Sequence, residues 1–219
     1  MNKEPLIKYY NENTLEVGID EVGRGSLFGR VYVAGVILPP DLDDEYSVMI
    51  RDSKRVSAKK RKILRKYIEE KAIDYYVGYE ENDVVDTKNI LKTTLDLMCK
   101  VVDNLSVKPE LLLIDGNRFY GYRDTDGNEI PHKCIIGGDD KYMSIAAASI
   151  LAKEYRDDYL DELCLSDDTI NKYGISKNKG YGTKIHMEAI KKHGITKYHR
   201  TSYKPCSQFK IDKINDCMF

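Results

Sequence analysis

The amino-acid sequence predicts an α/β fold, in which helices flank a five-stranded sheet and a small helical lobe follows at the C-terminus. Two observations predict this fold. Five short segments rich in β-branched and other apolar residues occur before residue 137, with helical patterns between them. Beyond Cys164 the chain contains helical patterns and glycine turns instead of further strands.

The five predicted strands are short, and each is followed by polar or glycine-containing sequence. They cover residues 15–20, 31–38, 73–79, 111–115 and 134–136. The fourth is apolar up to its last residue, which is typical of a strand buried in a parallel sheet. We expect the first and fourth strands to be neighbours. Residues 122–131 interrupt the series as a hairpin around Asp126 and Gly127.

Three helices are predicted within this part of the chain. Ser53 or Ser57 caps a basic helix that runs to about Lys71. Thr87 or Asn89 opens a second helix, which ends near residue 105 and carries its apolar residues on one side. A third helix of small residues covers 144–155. We expect residues 1–163 to form the α/β domain, and residues 164–219 to form a helical and loop segment that packs on it.

Length and composition favour one globular domain in an intracellular protein. A chain of 219 residues with 42% hydrophobic residues can bury one core. The five cysteines are odd in number and lack a C-x-x-C pair, which favours reduced thiols over zinc sites. The longest apolar run is too short to span a bilayer, so we expect no membrane association and a cytoplasmic location. We also expect a monomer with no obligate protein partner.

The charge of the chain is nearly balanced overall but locally uneven. The net charge of −1 taken alone argues against a polyanionic partner. Residues 51–66, however, hold nine basic side chains against one acid, and residues 176–205 hold eight against one. Either run alone is typical of a solvated helix face, and Lys59 to Lys62 also fits a nuclear address. Two such runs flanking acidic motifs favour a surface that follows phosphates.

Acidic residues follow the ends of three predicted strands. They are Asp20 and Glu21 after the first, Asp115 after the fourth, and Asp139 and Asp140 after the fifth. Carboxylates in such places are costly to bury unless they are hydrogen-bonded or bind a cation. Converging carboxylate oxygens suit Mg²⁺ or Mn²⁺, and two such ions promote displacement at phosphorus. A turn or cap role is the alternative for any single acid, and it is our prediction for Asp140.

Two glycine-rich segments can bring backbone N–H groups close to a ligand. One is residues 23–25, directly after the first acids, and the other is residues 180–183. The ring of Tyr181 in the second segment could stack on a sugar or base, although a packed aromatic is the alternative. His186, His193 and His199 are too far apart in sequence to indicate a metal site, and we interpret them as structural or phosphate-facing.

At this point the residues resemble a known family. The segment Gly18-Ile19-Asp20-Glu21-Val22-Gly23-Arg24-Gly25 is similar to the G-x-D-E-x-G-R-G signature of type 2 ribonucleases H (ribonuclease HII) in their bacterial-style single-subunit form. Further matches follow in the same order: Asp52-Ser53-Lys54, Ile114-Asp115-Gly116, Gly138-Asp139, residues 144–153 with Arg156-Asp157, residues 180–183, His199-Arg200 and Pro205. Together they cover about residues 15–205.

This resemblance implies an RNase H-like catalytic domain with a mixed sheet. It also implies hydrolysis of RNA in RNA/DNA hybrids and cutting 5′ of ribonucleotides embedded in duplex DNA, which leaves a 3′-hydroxyl and a 5′-phosphate. The implied cofactor is a two-metal site of Mg²⁺ or Mn²⁺. The implied catalytic and metal-binding acids are Asp20, Glu21, Asp115 and Asp139. The implied substrate-binding residues are Gly23, Arg24 and Gly25 at the ribose 2′-hydroxyl, Tyr181 at the neighbouring sugar, Lys54 at a phosphate, and His199 and Arg200.

Three positions depart from the family pattern. Ser26 and Arg30 stand where the family usually has proline, and Gly137 stands where it usually has lysine. These departures concern substrate affinity and preference more than the acids. Two alternatives remain open from the sequence: a Holliday-junction resolvase or integrase-like nuclease on a similar scaffold, and a hybrid-binding module without turnover.

Overall fold

A computed structural model describes residues 5–209 of the chain. The seven strands are β1 (Glu16–Val22), β2 (Val31–Ile37), β3 (Asp74–Glu80), β4 (Leu111–Asp115), β5 (Tyr122–Arg123), β6 (Glu129–Ile130) and β7 (His132–Ile135). The α-helices are α1 (Ala58–Lys71), α2 (Asn82–Lys88), α3 (Ile90–Asp103), α4 (Met143–Ser166), α5 (Ile175–Asn178) and α6 (Lys184–His193). As far as it is described, the chain forms two units. Unit one contains residues 5–22, 32–79 and 94–155, and unit two contains residues 23–31, 80–93 and 156–209.

The sheet of unit one is mixed and five-stranded, which confirms the predicted fold class. Its strand order is β3-β2-β1-β4-β7. β1 pairs antiparallel with β2 and parallel with β4, and β4 pairs parallel with β7. The last matched pair of β1 and β4 is Ile19 beside Ile114. The next residues of the two strands are Asp20 and Asp115, so the predicted neighbourhood of these strands brings two of the acids to one edge.

Helices cover both faces of this sheet, and glycines let them approach closely. A Cβ on Gly35 would lie 2.8 Å from a methyl of Val101, so α3 packs directly on that face. A Cβ on Gly18 would lie 2.2 Å from the Ser144 carbonyl carbon, so the backbone of α4 lies against the opposite face. Side chains alternate along a strand, and Asp20 therefore shares the α4 face with Gly18.

Several element boundaries differ from the prediction for local reasons. The second predicted helix opens at Asn89, one of its two predicted starts, which adopts a φ of 69° and accepts the backbone N–H of Lys92 through its side chain. Asn89 thus opens α3, whereas Thr87 belongs to the preceding helix. Ser57 rather than Ser53 caps α1. The third helix continues well past residue 155 as α4, to Ser166.

The remaining sequence predictions concern domains, membrane and thiols. The predicted domain boundary at residue 164 falls inside α4, and that division stays a prediction. Within residues 5–209, no helix combines the length and the apolar character needed to cross a bilayer. Cys164 and Cys206 are buried free thiols, Cys99 is a half-buried one and Cys134 is exposed. Cys217 lies outside the described residues.

Unit two has its own core, built around the buried segment that follows β1. Its buried residues are Leu27, Phe28, Leu160, Cys164, Ile170, Tyr173, Ile175, Ala189, Ile190, Ile195 and Cys206. The ring of Phe28 contacts the imidazole of His199 edge-on, with 5.0 Å between the ring centres. Phe28 and His199 also form an isolated antiparallel bridge. The core therefore fixes this segment through both its side chains and its backbone.

Two buried histidines form a directed hydrogen-bond chain in unit two. The Thr196 backbone N–H donates to His199 Nδ1 at 3.0 Å, so that nitrogen carries no proton. His199 Nε2 then donates to His186 Nε2 at 3.0 Å. His186 Nδ1 in turn donates to the Tyr181 carbonyl at 3.0 Å. Only neutral imidazoles satisfy this chain, and it holds the backbone at Tyr181 in place.

We expect this histidine chain to lower the stability of the protein in mild acid. Burial, followed by the neighbouring His186, lowers the pKa of His199 to about 3, and burial lowers the pKa of His186 as well. The unfolded chain binds these protons near pH 6.5, so stability is complete above that value and falls as the pH drops toward 3. His199 contributes about 1.4 kcal/mol per pH unit in that window, and His186 changes stability in the same direction.

Urea unfolding of the wild-type protein and of His199→Gln at several pH values from 7.5 to 5 measures the effect. The slope of unfolding free energy against pH should be shallower in the variant. His193→Gln leaves both buried imidazoles in place and is the control, with the wild-type slope expected. Equal slopes in all three proteins would contradict the assignment of neutral buried imidazoles.

Candidate active site

Asp20 is a buried carboxylate near the end of β1. Its side chain is 5% exposed and accepts a hydrogen bond from the hydroxyl of Ser149 on α4. The Ser149 hydroxyl also lies 3.0 Å from that of Ser53. The backbone N–H of Glu21 donates to Asp20 Oδ1 at 2.7 Å. The Asp20 side chain is therefore oriented by its own strand and by the helix that packs on it.

Asp115 and Asp139 reach the same region from β4 and from the turn after β7. Asp115 ends β4, and its Oδ1 accepts the backbone N–H of Gly138 at 2.7 Å. Gly138 begins the short 3-10 helix Gly138–Asp140, in which Asp139 is 8% exposed. A Cβ on Gly138 would lie 2.6 Å from the Ile145 side chain, so only glycine fits there without a shift of its neighbour.

The electrostatics of these carboxylates are those of a crowded anionic site. The pKa of Asp20 lies well above its usual value because of burial first, and then because of the charges of Glu21, Asp115 and Asp139. Burial, followed by Asp115 and Asp52, raises the pKa of Asp139 to about 6, against a smaller opposite effect of a nearby lysine. The four acids predicted from the sequence therefore gather at one end of the sheet, within unit one.

This donor set fits a divalent cation chemically. Within residues 5–209, no three side chains of His, Cys, Asp or Glu are already arranged as a set of metal ligands. The raised pKa values of Asp20 and Asp139 nevertheless indicate negative charge that the protein itself does not compensate. All four groups offer hard oxygen donors, which Mg²⁺ and Mn²⁺ prefer. A cation among them would supply the missing positive charge.

Three residues around the acids influence the charge or the orientation of the site, and the role of one of them, Ser149, was not predicted. Lys54, which is exposed, is the lysine that lowers the pKa of Asp139. The Arg55 guanidinium lies 3.6 Å from the Asp140 carboxylate. Asp140 therefore forms an ion pair and is not counted among the four acids. Ser149 lies in the apolar segment 144–153, and the sequence alone does not show that it faces Asp20. The only signal in the sequence is a polar hydroxyl among alanines and aliphatic residues.

The loop after β1 lies in unit two and contains two different kinds of glycine. Gly23 has a φ of 91°, and a Cβ there would lie 2.5 Å from Arg156 Nε. Gly25 is exposed, its φ lies outside the left-handed region, and a Cβ would meet nothing within 4 Å. Arg24 between them is exposed as well. The protein's own packing therefore requires glycine at position 23 but not at position 25.

Tyr181 lies on the second glycine segment with 40% of its surface exposed. Gly180 before it has a φ of 81°, and a Cβ there would lie 2.6 Å from Ser26 Oγ, so the segment packs tightly on the loop after β1. His199 and Arg200 are both fully buried, in contrast to the predicted contact with substrate. Their side chains form hydrogen bonds with backbone groups of unit two. We therefore infer that they hold the protein backbone in place and do not contact the substrate directly.

The three departures from the family pattern have local structural partners. Ser26 donates through its hydroxyl to the Phe28 carbonyl at 3.0 Å. Arg30 forms an ion pair with Glu81 at 2.6 Å. Gly137 has a φ of 63°, a left-handed conformation that glycine adopts without strain. The side chains at positions 26 and 30 thus hold the loop by polar contacts.

The basic helix α1 has an inner and an outer face. Arg61 donates to Glu154 on α4 at 2.7 Å. Arg65 donates to Glu69, one turn further along α1, at 2.8 Å. Lys71, at the end of α1, pairs with Glu70 at 3.0 Å. The other four lysines of α1 are exposed, and in the described part of the chain they have no ion-pair partner. They are Lys59, Lys60, Lys62 and Lys66. Basic residues at a helix N-terminus oppose the helix dipole, so this arrangement is not explained by helix stability.

Comparison with known proteins identifies the family. The family model described as Ribonuclease HII matches residues 17–206. The curated Ribonuclease HII of Parabacteroides distasonis is 49% identical over 198 residues, which are 90% of this chain and 94% of the relative. The Ribonuclease HII of Christiangramia forsetii is 43% identical over 208 residues, with 94% of this chain and all of the relative covered.

Solved structures of low identity share the fold. The crystal structure of ribonuclease H2 from Pyrococcus horikoshii superposes with a TM-score of 0.71 at 19% identity, over 88% of this chain and 95% of that one. Bst-RNase HIII in complex with Mn²⁺ superposes with a TM-score of 0.60 at 22% identity, over 83% and 63%. These likenesses confirm the RNase H-like fold. Matched over most of its length by the family model and nearly half identical to a curated member, this chain belongs to the ribonuclease HII family and is a ribonuclease H.

Proposed function

We propose that this ribonuclease H hydrolyses the RNA strand of RNA/DNA hybrids and also cuts 5′ of single ribonucleotides embedded in duplex DNA. The observation that carries the proposal is the gathering of four carboxylates at one end of the unit-one sheet, with the pKa of Asp20 and of Asp139 raised. Such a site is unfavourable for stability and is explained by a requirement for cations. The enzyme works as a monomer in the cytoplasm.

The residues that would hold the cations are Asp20, Glu21, Asp115 and Asp139. Two bound Mg²⁺ or Mn²⁺ ions would activate water and stabilise the leaving oxygen. The Mn²⁺ in the Bst-RNase HIII structure supports a divalent ion of this class. Ser149 orients the Asp20 carboxylate and the Gly138 N–H orients that of Asp115, so two of the four proposed ligands are held by neighbouring groups.

The reaction is the addition of water across one phosphodiester bond. The bond between phosphorus and the 3′-oxygen on the 5′ side of the ribonucleotide breaks, and a bond from phosphorus to the water oxygen forms. The 3′-oxygen gains a proton and becomes a 3′-hydroxyl, while the ribonucleotide keeps a 5′-phosphate. Lys54, which is exposed and acts electrostatically on Asp139, is suited to binding a phosphate of the substrate.

Contacts that select a ribonucleotide are proposed for unit two. Gly25 is exposed in open space, which favours the approach of a sugar to the backbone of the loop. The exposed ring of Tyr181 is suited to packing on the neighbouring sugar. The four outward lysines of α1 in unit one would follow the phosphates of the flanking duplex, where each contact releases counterions.

The proposed function predicts a specific cleavage pattern. With Mg²⁺ or Mn²⁺, the protein should nick a DNA duplex carrying one ribonucleotide on the 5′ side of that ribose, and it should cut the RNA strand of a hybrid. A duplex of DNA alone is the control and should stay intact. Labelled strands analysed on a denaturing gel give the position of the cut. Cleavage of the all-DNA duplex would favour a resolvase-like nuclease, and binding without cleavage would favour a non-catalytic module.

The crowding of carboxylates predicts opposite effects of Asp20→Asn with and without metal. In EDTA the variant should melt about 2–4 °C higher, because about 1 kcal/mol of repulsion is relieved. With Mg²⁺, the wild-type protein should gain stability and the variant should gain much less. Cleavage by the variant should fall by at least ~100-fold.

The control for these melts is Asp44→Asn. Backbone and side-chain hydrogen bonds lower the pKa of Asp44 in unit one, so its loss should lower the melting temperature with or without Mg²⁺. Scanning calorimetry and a cleavage assay measure both effects. A wild-type melting temperature that does not respond to Mg²⁺ or Mn²⁺ counts against the cation site.

The two glycines of the loop predict different outcomes for the same substitution. Gly23→Ala should lower the melting temperature, because of the positive φ and the contact with Arg156. Gly25→Ala should leave it nearly unchanged, yet it should raise KM for the single-ribonucleotide duplex by about tenfold, since a lost close contact of about 1.4 kcal/mol has that effect. Full activity of a stable Gly25→Ala protein would rule out the close approach.

A further inference from the structure

Two arginine side chains are fully buried in unit two without a carboxylate partner. Arg156 and Arg200 have no exposed surface, and in residues 5–209 neither forms an ion pair. Burial lowers the pKa of Arg156 to about 10 and lowers that of Arg200, and both guanidinium groups stay charged at neutral pH. Asp157 acts on Arg156 and Asp86 acts on Arg200 electrostatically, but without a direct ion pair. Burying cations in this way lowers stability, so their retention calls for a functional explanation.

Arg156 donates hydrogen bonds to the loop after β1 and to Lys179, the residue directly before the second glycine segment. Its Nη2 donates to Ser26 Oγ at 2.7 Å and to the Phe28 carbonyl at 3.1 Å. Its Nε donates to the Arg30 carbonyl at 3.1 Å, and its Nη1 to the Lys179 carbonyl at 2.9 Å. The four acceptors lie on two chain segments, and one rigid fork joins them.

Arg200 holds the same loop from its beginning and its end. Its Nη1 donates to the Gly23 carbonyl at 2.7 Å and to the Arg24 carbonyl at 3.1 Å. Its Nε and Nη2 donate to the Gly29 carbonyl at 3.2 and 3.0 Å. The Tyr203 hydroxyl also donates to the Arg24 carbonyl, at 2.6 Å. Five carbonyls of the eight residues 23–30 are thus bound by these two arginines.

The carbonyl bonds determine where the N–H groups of the loop point. In a trans peptide, the carbonyl of one residue and the N–H of the next point in opposite directions. Because the carbonyls of Gly23 and Arg24 face Arg200, the N–H groups of Arg24 and Gly25 point away from it, on the exposed part of the loop. Because nothing lies within 4 Å of a Cβ position at Gly25, an anionic or polar ligand can approach its outward N–H closely.

We propose that Arg156 and Arg200 are positioning residues that present the outward N–H group of Gly25 to the sugar–phosphate backbone of a ribonucleotide. Their buried positive charge also raises the attraction of the loop for phosphate. Arg156 lies 5.8 Å from the centre of the Tyr181 ring, so it acts on the second glycine segment as well. This inference rests on the proposed function, since it names what sets the preference of the enzyme for ribose.

Lysine substitutions separate this role from a structural one. Lysine keeps the charge, but its single ammonium group cannot reproduce the planar fork that reaches four acceptors. Each of Arg156→Lys and Arg200→Lys is introduced together with Asp20→Asn, which prevents cleavage. Affinity is then measured by fluorescence anisotropy for a duplex with one ribonucleotide and for the matching all-DNA duplex. The preference is the ratio of the Kd for the all-DNA duplex to the Kd for the duplex with one ribonucleotide, and this ratio should fall by about tenfold.

Arg61→Lys is the matched control. Arg61 is a largely buried arginine of unit one that is paired with Glu154, so its loss should lower the melting temperature without changing the preference. If Arg156→Lys and Arg200→Lys behave like this control, the arginines are only structural and the proposal is overturned. Steady-state kinetics of the single variants should agree, with KM raised more than kcat is lowered.

Ser26→Ala keeps the test decisive even if an arginine variant fails to fold. It removes one acceptor of Arg156 and leaves both guanidinium groups in place. A preference for ribonucleotide lowered by about threefold supports the proposal, and an unchanged preference overturns it. A parent protein that binds both duplexes equally would overturn the proposed function together with this inference. A parent that prefers the ribonucleotide, with variants that do so equally, overturns this inference alone.

Discussion

The mutual repulsion of buried carboxylates at the end of β1 and β4 is the constraint on which the rest of unit one depends. Asp20 can be buried there only because α4 lies directly on the strand, and α4 can lie there only because residue 18 is glycine. The same helix supplies Ser149 to Asp20. The sheet register places Asp115 beside it, and Gly138 fixes the Asp115 carboxylate through its N–H. Secondary structure, packing and charge are therefore parts of one arrangement.

Unit two has the opposite electrostatic problem. Its core contains two guanidinium groups, which it solvates with backbone carbonyls in place of carboxylates. A carboxylate partner would cancel their charge, whereas carbonyl dipoles satisfy the N–H donors and leave the net charge in place. The neutral pair of His186 and His199 adds no further charge to this core. The cost in stability is consistent with a unit whose loop handles an anionic ligand.

The fold could be predicted because it depends on local patterns, whereas the role of the four acids as metal ligands stays a prediction. Strand-length apolar runs predict the sheet, and the acids at the ends of three of these five runs predict the candidate site. The choice between Thr87 and Asn89 as the start of α3 stayed open, because the helical periodicity does not show which single residue adopts the positive φ that decides it. The burial of His199 and Arg200 could not be predicted at all. Both are polar and lie in a basic stretch. Only the tertiary structure shows that Arg200 donates to distant backbone carbonyls and that His199 bonds to the imidazole of His186.

The net charge of the chain does not predict its ability to bind a polyanion, and the two sets of arginines show the physical reason. Arg61 and Arg65 on α1 are neutralised by glutamates, Arg156 and Arg200 are buried among carbonyls, and the exposed lysines of α1 meet water. Each cation counts equally toward the net charge, but its potential at the surface depends on its partner and its burial. Arginine, with its fixed fork of donors, is used where several acceptors must be held at once. Lysine is used where a mobile charge on a flexible stem is sufficient. The near-zero net charge of the chain is therefore compatible with a nucleic-acid substrate, because most of its acids are engaged elsewhere or grouped where a cation would bind.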